Sequence, residues 1–471
     1  MGHLYISAAH KSSGKTMITT GLARAFVNKG VSIQPFKKGP DYIDPKWLGE
    51  SAGRPCFNLD YNSQSHAEVQ DLFARYALQA DISLIEGNKG LHDGVDLDGS
   101  NSNAALAKHL KAPVILVVNA LGITRGIAPL LLGYQAFDGD VYLAGVILNN
   151  VKGPRHEEKL VKAVRHYTDL EVLGVVHQNP LLTLDERHLG LRPHNEHPDA
   201  QAHIEMLAAE VDAQVDLCRL QAIANTAPAP RPIEAPTVTL PERRDVRIAV
   251  AKDAAFGFYY EDDLEALQRA GARIVYFNAL NDVYLPTCDA LFLGGGFPET
   301  QMAKLEANKT LRIRIQAAVE AGLPVYAECG GLMYLSRSIS WNDEHHEMVG
   351  VIPADTTMKP IPQGRGYTQL TPTANHPWPG IGNDLNGPIR AHEFHYSSLE
   401  NIDPNLTYAY DVERGQGVDG QHDGIVIHNV VANFSHLRDT SRCAWAKAFT
   451  AFVRQLKADR GKAPSPAQVA G

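Results

Sequence analysis

The sequence predicts two α/β domains in one chain, a P-loop-type parallel sheet followed by a second α/β domain. Three observations carry that expectation. Short β-branched runs alternate with stretches of helical spacing, the pattern of parallel strands covered on both faces. A length of 471 residues exceeds what one hydrophobic core ordinarily serves. Residues 225–244, NTAPAPRPIEAPTVTLPERR, hold five prolines and little periodicity, which reads as a linker between domains at 1–224 and 245–460.

In the first half, HLYISAA, VSIQPF, ISLIEG, APVILVV, LAGVILNNV and VLGVV read as buried strands. Helical spacing falls on 65–79, 101–110 and 153–168. Past the break, VRIAVAKD, RIVYFNAL, ALFLGGG and PVYAEC read as strands, with helical spacing over 259–270 and 309–321. The tail 461–471, GKAPSPAQVAG, has the composition of a disordered segment. A net charge of −9 argues against a sequence-independent nucleic-acid binder. No apolar run is long enough for a membrane span, and the N-terminus opens on a strand-like run rather than a signal peptide. The cysteines at 56, 218, 288, 329 and 443 form no CxxC pair. That excludes a zinc or disulfide framework and points to a reducing, cytoplasmic setting.

AHKSSGKT follows the first strand and opens a helix, the context a phosphate loop requires. Backbone N–H groups around Ser12, Ser13 and Gly14 would cradle phosphate oxygens, Lys15 would neutralise them, and the Thr16 hydroxyl would hold Mg²⁺. Ala9 stands where such loops ordinarily begin with glycine, which should restrict the turn. KKGPDYIDP follows the second strand with Asp41 and Asp44; LIEGNKGLHDG follows the third with Glu86 and Asp93. A single loop aspartate is more often a turn or a cap. Here both clusters recur at the strand ends that form the crevice of a doubly wound sheet, where carboxylates can complete a Mg²⁺ shell.

Cys329, in VYAECGGLMY, lies between a strand and a helix-like stretch, with two glycines after it. Such a turn exposes a nucleophile at a helix N-terminus, where thiolate is favoured. The upstream glycine turn FLGGGFPE offers Gly295 and Gly296 as an oxyanion hole, and His436 in VVANFSHLRDT is the candidate base. Most lone cysteines are small buried hydrophobes; Cys56, Cys218, Cys288 and Cys443 are assigned to that class.

ECGGLMYL after a strand, with LGGGFPE before it, resembles the class I glutamine amidotransferase domain of the cobyrinic acid a,c-diamide synthase family. The N-terminal half resembles that family's ATP-binding domain, related to dethiobiotin synthetase, and QPFKKGPDYIDP, GRPCFNLD, EGNKGLHDG, GVILNNV, ERHLGL and AHEFHYSSL carry the likeness along nearly the whole chain. The resemblance implies a carbon–nitrogen ligase with ATP and Mg²⁺, glutamine as amido donor, and a polycarboxylate tetrapyrrole as acceptor. It implies Cys329 as glutaminase nucleophile and His436 as base, and Lys15 and Thr16 on ATP and Mg²⁺. Glu86 and one of Asp41 or Asp44 would be further metal ligands, with Tyr42, Asp44 and Asp93 near the substrate carboxylates. His392 and His395 are family positions expected near the domain interface; their spacing is not that of a zinc protease. A homodimer is left open.

Two departures stand out. The family's second histidine after the catalytic one is replaced by Arg438, so either it is dispensable or another carboxylate orients His436. Asn88, Lys89 and His92 stand between Glu86 and Asp93, where substrate acetates are expected. A branch that amidates sirohaem in bacteria with dissimilatory sulfite reductase resembles this chain in ISAAHKSSGKT, and another branch amidates nickel sirohydrochlorin. Arg54, Arg187 and Arg365 are candidate partners for the acetates. Alternatives from other classes are a partitioning-type ATPase switch, whose signature lysine is His10 here, and a tetrapyrrole-binding protein without chemistry.

Overall fold

A computed structural model describes residues 1–180, 186–187, 190–191, 199–233, 244–382 and 387–462. They form two compact units, Met1–Pro236 and Thr237–Gly471.

In the first unit, β1 (Gly2–Ala8), β2 (Ile33–Lys38), β3 (Phe57–Leu59), β4 (Ile82–Glu86), β5 (Val114–Asn119), β6 (Leu143–Val151) and β7 (Val172–His177) make one sheet. The order is β3-β2-β4-β1-β5-β6-β7, and every neighbouring pair is parallel. Side chains alternate between two cores, as the pleat requires. Leu4 and Ile6 pack with α1 (Lys15–Asn28), α7 (Ala200–Gln214) and α8 (Leu217–Ala224). Tyr5 and Phe36 pack on the other side with α3 (His66–Ala77), α4 (Asn103–Leu110), α5 (Ile127–Phe137) and α6 (Pro154–Tyr167). The three-residue β3 is too short to show a period and was not anticipated.

Local chemistry sets the helix ends. Ser65 and Glu68 form a reciprocal capping box at the start of α3. After Asp44 opens α2 (Asp44–Ala52), Gly53 ends it with a left-handed φ of 64°. The first unit also continues past residue 224: the Arg231 carbonyl accepts from Gln70 at 2.9 Å and the Ile233 N–H donates to Asp71 at 2.6 Å, which ties this stretch to α3. Residues 234–243 of the expected linker lie outside the described residues.

The second unit is built on a nine-stranded sheet. Its parallel part runs Ala272–Phe277, Val246–Ala251, Ala290–Leu293, Val325–Glu328 and Val430–Asn433. Antiparallel strands His422–Ile427, Thr407–Arg414, Gly364–Pro372 and Ile389–His395 extend it, and a separate four-stranded sheet holds Ser338–Trp341. The parallel part matches the sequence expectation; the antiparallel strands were not read there. The final helix, Trp445–Lys462, reaches two residues into the expected tail, and 463–471 lie outside the described residues. Among the described residues no helix is long and apolar enough to cross a membrane.

One core of this unit is aromatic. Tyr326 stacks on Phe292 with centroids 5.2 Å apart and meets the Trp445 ring at 4.8 Å and Trp378 at 4.9 Å. Trp445 is fully buried. Trp445→Ala is expected to destabilise the second unit by about 3–5 kcal/mol, read as a lowered midpoint of its own calorimetric transition.

Candidate active sites in the two units

The first site gathers at the C-terminal ends of β1, β2 and β4. Register pairs Glu86 of β4 with both Ile6 of β1 and Lys37 of β2. The phosphate loop leaves β1 with Ser12 at φ 61° and Gly14 at φ 82°. A Cβ on Gly14 would stand 2.1 Å from Asn149 Nδ2, the group that donates to the Ser13 carbonyl. Ser13 donates its hydroxyl to the His10 carbonyl at 2.8 Å. Ala9 does not occupy the left-handed region, so the missing glycine costs no backbone strain.

Thr16 opens toward the acidic groups: its Oγ1 lies 2.9 Å from Glu86 Oε1 and 3.2 Å from Asp44 Oδ2. Lys37, whose part sequence reading missed, is the cation among them. Its Nζ sits 2.5 Å from Asp44, 2.6 Å from Glu86 and 3.8 Å from Asp41. Burial alone would push this ammonium down, but Asp44 and Glu86 outweigh burial and hold it well above the lysine range. Burial also pushes Asp44 up, and Lys37 reverses that to a net lowering. Asp41 is raised, first by burial and then by the Asp44 charge. Burial, and then the charge of Lys37, lower Lys15.

Do these residues fit Mg²⁺? Thr16, Asp44 and Glu86 bring hard oxygen donors to one point, and Glu86 Oε2 is buried without a partner. Among the described residues no cluster of three or more His, Cys, Asp or Glu closes a metal site by itself. That suits an ion held by one or two carboxylates and otherwise by phosphate and water. Asp41 is engaged differently: its Oδ1 accepts the N–H groups of Ile43 and Asp44 and caps α2.

The remaining residues expected here are scattered. Tyr42 is buried, while Asp93 is exposed and accepts the Gly90 N–H at 2.8 Å. His92 lies against Tyr134 and Phe137, with centroids 5.5 and 4.7 Å away. Arg54 binds the Gln79 carbonyl near the start of β4, the sheet edge opposite the phosphate loop, so it is no partner for an acetate at the loop. Arg365 belongs to the second unit, over the Phe394 ring, and the side chain of Arg187 lies outside the described residues.

The second site also sits at parallel strand ends. Cys329 follows Val325–Glu328 at φ 46° and ψ −99°, a strained conformation for a residue with a Cβ. Its N–H donates to the Asn433 carbonyl at 2.7 Å, and its own carbonyl accepts from Met333 at 3.0 Å. The glycines allow close approach. A Cβ on Gly331 would lie 2.1 Å from the Leu293 carbonyl oxygen, and one on Gly330 would lie 3.0 Å from the Gly296 nitrogen. A Cβ on Gly295 would be 2.6 Å from His436 Cε1. The glycine turn, the thiol turn and the imidazole are therefore packed together.

Burial pushes the Cys329 thiol up, with Glu299 as the next cause. The helix start expected to favour thiolate loses to desolvation and acidic neighbours. The imidazole of His436 has Glu328 beside it, Nδ1 to Oε2 at 3.3 Å. His392 stacks on His436 with centroids 5.1 Å apart and exchanges backbone hydrogen bonds with it. His395 instead packs flat on Phe434 at 4.0 Å. Arg438 turns to Asp262 at 2.8 Å and lies over the Tyr260 ring.

Residues 247–442 match the CobB/CobQ-like glutamine amidotransferase domain, and residues 55–186 match an AAA domain. A cobyrinate a,c-diamide synthase from Magnetococcus marinus is 44% identical over 457 residues, 96% of this chain and 97% of that one. Another, from Methanosarcina acetivorans, is 38% identical over 97% of this chain and 96% of its own.

The chain belongs to the cobyrinate a,c-diamide synthase family.

Membership in this family of glutamine-dependent amidotransferase ligases accounts for two strand-end sites in one polypeptide, which a partitioning-type switch does not. Two signals in the sequence went unused. A lysine at the end of a buried parallel strand demands an acidic partner, which marks Lys37. A carboxylate directly before the cysteine marks Glu328.

Two outcomes test these environments. Lys37→Ala leaves the fully buried Glu86 without its cation and is expected to destabilise the first unit by about 3–5 kcal/mol in denaturant unfolding. A raised thiol pKa means the neutral form dominates below it and thiolate grows with pH. Alkylation of Cys329 by iodoacetamide, followed by peptide mass, should therefore be slow near pH 7 and rise about tenfold per pH unit. A flat rate would mean that thiolate is already formed.

Proposed function

We propose that the protein uses ATP and glutamine to amidate the a and c acetate side chains of a modified tetrapyrrole, through an acyl phosphate and ammonia passed on without release. The observation that carries this reading is the pairing, in one chain, of a thiol turn beside His436 with a phosphate loop beside Glu86, Asp44 and Lys37. The chemistry needs both. A carboxylate does not react usefully with ammonia because oxide is a poor leaving group, whereas phosphate leaves readily.

In the second unit, the Cys329 sulfur attacks the amide carbon of glutamine as its proton passes to His436. The imidazole returns that proton to the departing ammonia, and water cleaves the thioester to glutamate. The Gly295 and Gly296 N–H groups serve the oxyanion. In the first unit, an acetate oxygen takes the terminal phosphoryl group of ATP, and ammonia then displaces phosphate. Lys15 and Lys37 neutralise the phosphates, with the backbone around Ser12, Ser13 and Gly14 as their cradle. Thr16 and Glu86 with Asp44 would hold Mg²⁺, which would supply charge neutralisation there. Tyr42 and Asp93 lie on the loops that would meet the substrate carboxylates. Ammonium at neutral pH is not nucleophilic, which supports a sheltered path for ammonia.

Cobyrinic acid is the acceptor in the relatives' name. Asn88, Lys89 and His92, with His92 set against Tyr134 and Phe137, favour testing sirohaem and sirohydrochlorin beside it. The protein is incubated with each macrocycle, ATP, Mg²⁺ and glutamine, and products are weighed for acid-to-amide conversion. Cys329→Ser is expected to lose glutamine-driven amidation and keep amidation driven by ammonium salts at high pH. Lys15→Ala is expected to lose both. No amidation of any macrocycle, or no ammonium rescue of Cys329→Ser, overturns the reading.

A further inference from the structure

The position two residues past His436 holds Arg438, and its guanidinium is committed to Asp262. The group that orients the imidazole must come from elsewhere. Glu328 is the last residue of its strand and pairs in register with Asn433 on the neighbouring parallel strand. Just past Asn433 the chain turns back over the strand end, because the buried Asp423 carboxylate accepts the Phe434 and Ser435 N–H groups, each at 2.9 Å. That turn brings His436 above Glu328.

Three donors meet the Glu328 carboxylate. The Tyr326 hydroxyl reaches Oε1 at 2.5 Å and the Leu437 N–H reaches it at 3.0 Å, while His436 Nδ1 faces Oε2 at 3.3 Å. Both side chains are 4% exposed, so neither water nor salt screens the pair. With Oε1 held on two sides, the carboxylate cannot swing away. A carboxylate acceptor keeps the proton on Nδ1, which makes Nε2 the acceptor nitrogen of the ring. The Nε2 edge of the ring lies at the glycine turn: a Cβ on Gly295 would be 2.6 Å from Cε1 and 3.4 Å from Nε2. Gly296, the next residue of that turn, borders Gly330, which follows the thiol.

We propose that Glu328 is the positioning residue of the glutaminase site, holding His436 in the tautomer and orientation that accept the Cys329 proton. The acid that steers the base thus comes from the strand immediately before the nucleophile, not from the segment after the histidine. This rests on the reading of Cys329 and His436 as the glutaminase pair. An amide at position 328 has one acceptor oxygen for three donors, and its NH₂ group would face one of them. Aspartate keeps both oxygens on a shorter stem.

The test measures glutamine hydrolysis as glutamate release, together with ammonium-driven amidation, in Cys329→Ser, Glu328→Gln and Glu328→Asp. Cys329→Ser must lose glutamate release; if it does not, the glutaminase reading fails first. Glu328→Gln is expected to lower kcat for glutamine hydrolysis on the order of 100-fold at little-changed KM, with ammonium-driven amidation retained. Glu328→Asp is expected to recover at least tenfold of that loss. A wild-type kcat in Glu328→Gln overturns the proposal, and so does a loss confined to KM. If Glu328→Gln also loses ammonium-driven amidation, Glu328→Asp decides: partial kcat supports the positioning role, and a fall as deep as that of the amide overturns it.

Discussion

Parallel pairing sets the C-terminal ends of neighbouring strands side by side, and both sites of this protein depend on that constraint. In the first unit the register that pairs Glu86 with Lys37 and Ile6 fixes a buried charge cluster under the phosphate loop. In the second, the register that pairs Glu328 with Asn433 places the thiol turn beside the turn that carries His436. A slip of one residue would send each of these side chains to the opposite face of its sheet. The geometry of both candidate sites is therefore a property of strand register before it is a property of any loop.

The two sites handle charge in opposite ways. Around the phosphate loop, buried carboxylates are answered by a buried ammonium, and Lys37 remains protonated because Asp44 and Glu86 outweigh the desolvation it suffers. Around Cys329, burial and then Glu299 push the thiol up, toward its neutral form. A site proposed to take anionic phosphates benefits from a resident buried cation beneath its loop. Under the proposed glutaminase reading, a nucleophile needed only when glutamine is bound can stay protonated and rely on an oriented imidazole.

Close approach is the second shared device. Gly14, Gly295, Gly330 and Gly331 stand where a methyl group would collide with backbone or with a functional side chain. At Gly331 the obstacle is the Leu293 carbonyl, which no rotamer change can relieve. The glycine-rich strings in the sequence record the thickness of the contacts rather than flexibility.

The alternation of strands and helices, the phosphate loop, the thiol turn and the acidic strand ends were legible in the sequence, because period, turn chemistry and motif spacing are local. The antiparallel strands past residue 338 were not, since buried and exposed positions do not alternate strictly along strands such as Gly364–Pro372 and Thr407–Arg414, which leaves little periodic signal. Partner choice was legible least. Nothing local says that Arg438 answers Asp262 while Glu328 answers His436, or that Lys37 lies between Asp44 and Glu86. Those pairings join residues brought together by sheet register and by turns pinned through groups such as Asp423. The sequence alone determined which chemistries are present; the tertiary structure decided which side chains meet, because register and burial select among charges that the chain holds far apart.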